Sequence, residues 1–233
     1  MIDINTVLDL VKLKFYNEWI YTQVYDEGES PLFHKTVTEA VVKKYIDPLE
    51  LDKGSLILDM GCGPGYFIDE MKARGYTDVL GITLSDGDIK VCNEKGHVIK
   101  KYDMSFIPQK DGFHDESVDF IFCRQSLEHS PYPIFTLIEF NRLLKLGSYI
   151  YIEVPTPDNE RKHEFNANHY SVLGSNQLHA LLVRTGFKIE QFEQIDFGCE
   201  ITLNPNDPNS EKQPLTERFY CIVAKKQQTL DIK

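Results

Sequence analysis

An acid followed by three glycines on alternate positions, Asp59-Met60-Gly61-Cys62-Gly63-Pro64-Gly65, is the arrangement in this chain with the most chemistry to offer. Glycine has no Cβ, so such a loop can turn sharply and bring its backbone against a ligand. The Asp59 carboxylate can accept from an ammonium or a hydroxyl of that ligand, or brace the loop by accepting from backbone N–H groups, and the two roles can coexist. Cys62 reads more simply as a small residue in a tight place than as a nucleophile. A second polar group follows later in Glu153, Thr156, Asp158, Glu160, His163, Glu164, Asn168, His169 and Tyr170. His163, His169 and Tyr170 could contact or deprotonate an acceptor. The alternative is a solvated lid, and the six-residue offset of the two histidines matches no helical metal pair, so no metal site is predicted.

These residues need elements to hold them. Leu56, Ile57 and Leu58 form a short apolar run that reads as a buried strand entering the glycine loop. After Gly65, the spacing of Phe67, Ile68, Met71 and Lys72 predicts a helix that stops at Gly75. Strand and helix patterns then alternate, with strands near 56–60, 78–83, 97–102, 118–123 and 149–154 and two later ones over Phe187 to Ile195 and Arg218 to Ala224. That order predicts an α/β fold, a parallel sheet with helices on both faces. Ser175 is read as the cap of a helix from Asn176 to Arg184, ended by Gly186, and Pro205, Pro208 and Pro214 mark an irregular loop. Residues 51–233 are predicted to form one domain, preceded by a helical segment over 1–50. In that segment Ile4, Val7, Leu8, Val11, Phe15, Trp19 and Ile20 fall near one face, a second helix runs from Lys35 to Tyr45, and the whole either packs on the sheet or covers the site.

A strand, glycine loop and helix serve two kinds of nucleotide ligand. A dinucleotide fingerprint requires a small residue three places after the second glycine and an acid at the end of the second strand. Here those places hold Tyr66 and Thr83.

On these residues the chain resembles the class I S-adenosylmethionine-dependent methyltransferases. Asp59 to Gly65 is similar to that family's first motif, Gly81-Ile82-Thr83-Leu84-Ser85 to its second, and Asp103-Met104 to its third. Phe113 to Phe122 with Leu127-Glu128-His129, and Glu139 to Gly147 with the strand from Tyr149, resemble the fourth and fifth. The resemblance spans roughly residues 55–157. It implies a Rossmann-like fold with a seven-stranded, mostly parallel sheet whose last strand is antiparallel. It also implies S-adenosyl-L-methionine as cofactor, S-adenosyl-L-homocysteine as product, and a small-molecule or carrier-borne methyl acceptor at O, N or C. The implied cofactor contacts are Asp59, Gly61, Cys62, Gly63, Gly65, Thr83, Leu84, Asp88, Asp103, Met104 and Cys123. Asp103 would accept from the adenine amino group unless it is only a turn residue. Thr83 departs from the commoner acid for the ribose, and Asp88 either restores that contact or is simply favoured in the first turn of a helix. Cys123, like Cys62, can equally be a small filler. His129, just after the fourth strand, is the first candidate for a base, or it shapes the site. The second motif is also similar to that of the cyclopropane-synthase branch, but the small insertions and absence of a long apolar lid argue against that activity. The expected acidic cluster of the Mg-dependent catechol type is not evident.

Composition sets further bounds. The 233 residues include 36 acidic and 25 basic side chains, a formal charge of −11, which opposes sequence-indifferent binding to nucleic acid. Five widely spaced cysteines argue against a disulfide framework or zinc site. No apolar run is long enough to span a membrane and no secretory leader pattern opens the chain, so a cytoplasmic location is expected. Two rival classes stand beside the methyltransferase: a catalytically silent binding or scaffold protein on the same fold, and a nicotinamide-dependent oxidoreductase.

Overall fold

The computed structural model describes residues 31–109, 112–202 and 212–230. The expected helix carrying Ile4 to Ile20 lies outside them, as do Pro205 and Pro208. Chain order is α1 (Pro31–Val41), β1 (Ile57–Met60), α2 (Tyr66–Ala73), β2 (Val79–Thr83), α3 (Asp86–Glu94), β3 (Val98–Lys101), β4 (Val118–Arg124), α4 (Pro133–Leu143), β5 (Leu144–Pro155), α5 (Ser175–Arg184), β6 (Phe187–Thr202) and β7 (Lys212–Lys226). The strands form one seven-stranded sheet in the order β3-β2-β1-β4-β5-β7-β6. β7 runs antiparallel to both of its neighbours, and the other pairings are parallel.

The central strands are apolar because both sheet faces are covered. One apolar layer joins Leu58, Met60, Ile121 and Ile152 to Leu137, Phe140 and Leu182 of the helices; the other joins Ile57, Phe120, Phe122 and Tyr151 to Phe67, Ile68, Met71, Val42 and Tyr45. Phe67 of α2 stacks on Phe122 of β4 with ring centroids 3.8 Å apart. This contact seats the helix after the glycine loop directly on the sheet.

Several boundaries differ from the sequence reading. The expected helix from Lys35 to Tyr45 already includes Pro31, the first described residue, and passes at Val42 into a π-helical turn and then a 3-10 turn over Asp47–Leu49. Gly174, in place of Ser175, is the N-cap of α5, and its N–H donates to Gln177 Oε1 at 3.1 Å. β5 starts at Leu144, five residues before the expected strand, because the chain runs from Lys145 to Ser148 as a strand with a register shift against β4. Pro214 belongs to β7, opposite Glu200. Pairing of β7 with β5 stops at Phe219, so 212–218 pairs only with β6, and a proline there forfeits no bond on the open side. The β6–β7 ribbon consequently projects beyond the end of β5. No helix among the described residues is long and apolar enough to cross a membrane.

Candidate active site

A cavity of about 1400 Å³ opens beyond the carboxyl ends of β1, β2 and β4. Ligands of open α/β sheets bind at this end, where the sequence of strands reverses direction across the sheet. Asp59, Gly61, Cys62, Gly63, Thr83, Leu84, Asp88, Asp103, Met104, His129, His163, His169 and Tyr170 all line it. Gly65 and Cys123 do not. Strand alternation turns Phe122 and Arg124 toward the cavity and sends Cys123 to the opposite face, into the apolar core with Leu127 and Ile152.

The glycines divide the work. A Cβ on Gly61 would lie 2.1 Å from Ser126 Oγ, and one on Gly65 2.9 Å from His97 Cδ2 and 3.0 Å from Cys92 Sγ, so these two let the loop pack on its neighbours. A Cβ on Gly63 would meet nothing within 4 Å. Gly63 therefore leaves room beside the cavity, the space a close-lying ligand would take. Gly61 also has φ +75°, which costs an L-residue about 1–2 kcal/mol. Gly61→Ala, adding overpacking against Ser126, is expected to destabilise by about 2–4 kcal/mol. That corresponds to a Tm lower by on the order of 5–15 °C. Ser126→Gly should recover part of the loss in the same calorimetric scan, and an unchanged Tm for Gly61→Ala would show that the loop relaxes freely.

Asp59 is 3% exposed, and burial pushes its carboxyl well above the usual carboxylate range, Cys92 adding to the shift while the Arg124 guanidinium opposes it. Thr83 Oγ1 accepts from the Ser85 N–H at 3.2 Å, and Ser85 Oγ accepts from the Asp88 N–H at 3.1 Å as the cap of α3. Asp88 thus sits in the first helical turn and on the cavity wall together, so its two readings share one position. Asp103 Oδ1 accepts from the Ser105 N–H at 2.7 Å, the turn role, while the residue also lines the cavity; burial raises its carboxyl, with the Ser105 bonds opposing.

At the other end, three histidines meet. Tyr170 and Ser171 N–H groups both donate to Glu128 O, at 2.8 and 3.0 Å, and Ser171 Oγ donates to Ser130 O at 2.8 Å. These bonds pin the segment ending at Ser171 to the 3-10 turn Leu127–His129. His129 Nδ1–H donates to Asn168 O at 2.9 Å, which leaves its Nε2 as the lone-pair nitrogen. The His129 and His169 rings meet edge to face at 4.7 Å, and His163 stacks on His169 at 5.1 Å. Burial, then His129 and His163, lowers His169 to about 3, so this ring is neutral at ordinary pH. Glu128, His129 and His169 each place one ligand-type atom within 4.8 Å of the others, a spacing that a single cation could bridge. His163 lies outside that grouping and faces Glu217 Oε2 of β7 at 3.5 Å. Burial would raise the Glu217 carboxyl, but His163 and Arg161 outweigh it and lower it.

The sequence reading missed the wall made by Phe197, Leu215, Glu217 and Phe219 of the β6–β7 ribbon, and the buried Arg124–Glu153 pair on the cavity floor. The signal for a longer β6 was the run Ile195-Asp196-Phe197-Gly198-Cys199-Glu200-Ile201, in which apolar residues recur at every second position. Arg124 had a signal, since it stands two residues after Phe122 on the same strand face.

A family model described as "Methyltransferase domain" matches residues 34–192. The chain belongs to this methyltransferase domain family. It is 31% identical over 190 residues to a ubiquinone biosynthesis O-methyltransferase from Thiobacillus denitrificans, covering 78% of this chain and 75% of that one. It is 24% identical over 184 residues to a 27-O-demethylrifamycin SV methyltransferase from Amycolatopsis mediterranei, covering 73% and 67%. In fold it is similar to a putative methyltransferase from Bacillus halodurans, with TM-score 0.66, 17% identity and 81% and 100% of the two chains covered. An S-adenosylmethionine-dependent methyltransferase from Archaeoglobus fulgidus superposes with TM-score 0.63 at 21% identity, covering 94% and 99%. The protein is an S-adenosylmethionine-dependent methyltransferase with a small-molecule acceptor.

Proposed function

We propose that this methyltransferase acts on an oxygen, a hydroxyl of a small molecule, and that His129 accepts its proton. The observation that carries this reading is the fixed tautomer of His129, whose Nδ1–H is committed to Asn168 O beside the cavity. It leaves Nε2 as the proton-accepting nitrogen. The named activities of the relatives point to oxygen as well. His169, held neutral by burial and its histidine neighbours, is a poor base and serves to orient His129 and the acceptor.

The cofactor fits the donor set. Its bound form supplies an electrophilic methyl group on a sulfonium. Asp103 and Met104 would hold the adenine, Thr83 and Asp88 the ribose, Gly63 would allow the close backbone approach, and Asp59 would take the ammonium; all line one cavity. Gly61 and Gly65 shape the loop, and Cys62 stands on its cavity side. Since methyl transfer from a sulfonium is intrinsically favourable, alignment and water exclusion supply most of the remaining rate. The segment over 159–171 and the β6–β7 ribbon close the acceptor side: Asn159 Nδ2 donates to Arg218 O at 2.8 Å and the Thr216 N–H to Glu160 Oε2 at 2.7 Å.

Calorimetric titration with S-adenosylhomocysteine and NAD in parallel, followed by an acceptor panel of phenols, amines and carbon nucleophiles, tests the reading. Micromolar binding of the adenosyl ligand, on the order of −8 kcal/mol, and turnover of phenols alone are expected. Binding of NAD alone, or turnover of amines alone, would overturn it. Turnover should also survive exhaustive chelation. Loss on chelation with recovery in Mg²⁺ or Zn²⁺ would transfer the role of His129 to a cation held by Glu128, His129 and His169.

A further inference from the structure

Arg124 ends β4 on the cavity floor, and its side chain is nine-tenths buried. Its Nε donates to Glu153 Oε1 at 2.9 Å. Among the described residues, neither terminal nitrogen of the guanidinium has a hydrogen-bond partner. These nitrogens are not among the buried unpartnered atoms of the described residues and open on the cavity, so their N–H groups are available to a ligand there. Glu153 is not short of partners by contrast. Its Oε1 also accepts from Gln125 Nε2 at 3.1 Å and its Oε2 from Tyr151 OH at 2.8 Å. The carboxylate therefore acts as an anchor that fixes the guanidinium plane, leaving the terminal N–H groups for something else in the cavity.

We propose that Arg124 is a carboxylate-binding residue of this cavity, its guanidinium held in place by Glu153. A guanidinium presents paired N–H groups that match a carboxylate bidentately, which makes an acid group the natural occupant. Two sources can deliver it. The first is the α-carboxylate of the cofactor, in which case the assignment rests on the cofactor pose proposed above. In the sheet order β3-β2-β1-β4, adenine contacts sit at the end of β3, ribose contacts at β2, Asp59 at β1, and Arg124 comes next at β4. Asp59 for the ammonium and Arg124 for the carboxylate would then read the amino-acid end as a zwitterion, and the charge of Arg124 does act on the Asp59 carboxyl. The second source is an acid group on the acceptor, which enters from the histidine side.

The test compares wild type with Arg124→Gln, Arg124→Lys and the double variant Arg124→Gln/Glu153→Gln. The double variant matters because Arg124→Gln alone leaves a buried carboxylate without its cation, and a folding defect must be told from a binding one. Thermal melts and near-ultraviolet dichroism establish folding. Calorimetry with S-adenosylhomocysteine and with its analogue lacking the α-carboxyl group reads the cofactor arm. Wild type is expected to prefer the intact ligand by about tenfold or more. In Arg124→Gln and the double variant this preference should vanish, while Arg124→Lys, which keeps the charge and loses the fork, retains part of it. If the preference survives the substitutions but the kcat/KM advantage of 3,4-dihydroxybenzoate over catechol disappears through KM, the carboxylate is the acceptor's and Arg124 sets acceptor specificity. Folded variants that keep both preferences overturn the proposal. A wild type that binds neither adenosyl ligand would refute the cofactor pose, and calorimetric binding of 3,4-dihydroxybenzoate against catechol, in wild type and Arg124→Gln, would then decide the role of Arg124.

Discussion

His129→Gln is expected to lower kcat by about two to four orders of magnitude, the usual worth of a positioned proton acceptor, while the affinity for S-adenosylhomocysteine stays within about twofold of wild type. Glutamine preserves size and polarity but cannot take a proton at neutral pH, so the substitution isolates proton transfer from shape. The split follows from the structure. His129 stands at the histidine end of the cavity, held by Asn168 O and packed edge to face on His169, whereas the proposed adenosine contacts lie at the ends of β2 and β3. A paired measurement with acceptors of graded acidity sharpens it. A phenol already ionised at the assay pH needs no base, so the deficit of the variant should shrink as the acceptor becomes more acidic. A uniform loss across that series, or a matching loss of cofactor affinity, would mean that His129 shapes the site instead.

The architecture was legible because each of its signals is local. Leu56 to Leu58 before an acid and glycines, and the recurrence of apolar runs at 78–83, 118–123 and 149–154, record strands buried on both faces, and their alternation with helices implies the parallel sheet, while the reversed strand was implied only by the family resemblance. Contacts between distant segments were not legible. His129 and His169 are forty residues apart, and their meeting depends on backbone bonds from Tyr170 and Ser171 to Glu128 O, which leave no trace in side-chain pattern. The length of β6 and β7 was hidden for a related reason. Ile195, Phe197, Cys199 and Ile201 do alternate with Asp196, Gly198 and Glu200, but the partner segment 212–218 lies beyond Pro205 and Pro208, and the loop signal of those prolines was carried on to Pro214. Cys123 illustrates the opposite error, in which a motif position carried a cofactor role that strand alternation denies to its side chain. Asp88 and Asp103 show that one polar residue can hold a place in a turn and line a cavity together, so the alternatives drawn for them were not exclusive.

Asp59→Asn is expected to weaken S-adenosylhomocysteine binding by about 10- to 150-fold, the equivalent of a lost charged hydrogen bond of about 1.5–3 kcal/mol, with little change in fold, since asparagine fills the same volume. Asp59 is buried at the end of β1 with its carboxyl raised, chiefly by desolvation. The ionised form is the one that takes up an ammonium, so the sign of the pH dependence is set. A ligand ammonium stabilises the carboxylate and lowers its pKa below that of the ligand-free protein. Between those two values binding must expel a proton, and affinity falls as pH decreases, by up to about tenfold per pH unit. Above the ligand-free pKa the affinity should level off. Because burial raises that pKa, the fall should begin at a higher pH than an ordinary aspartate would give. Asp59→Asn has no such proton to lose and should bind weakly with a flat profile over the same range. Wild-type affinity that is independent of pH down to the usual carboxylate range, or a variant that keeps the slope, would remove Asp59 from the ammonium and leave it only the bracing of the glycine loop.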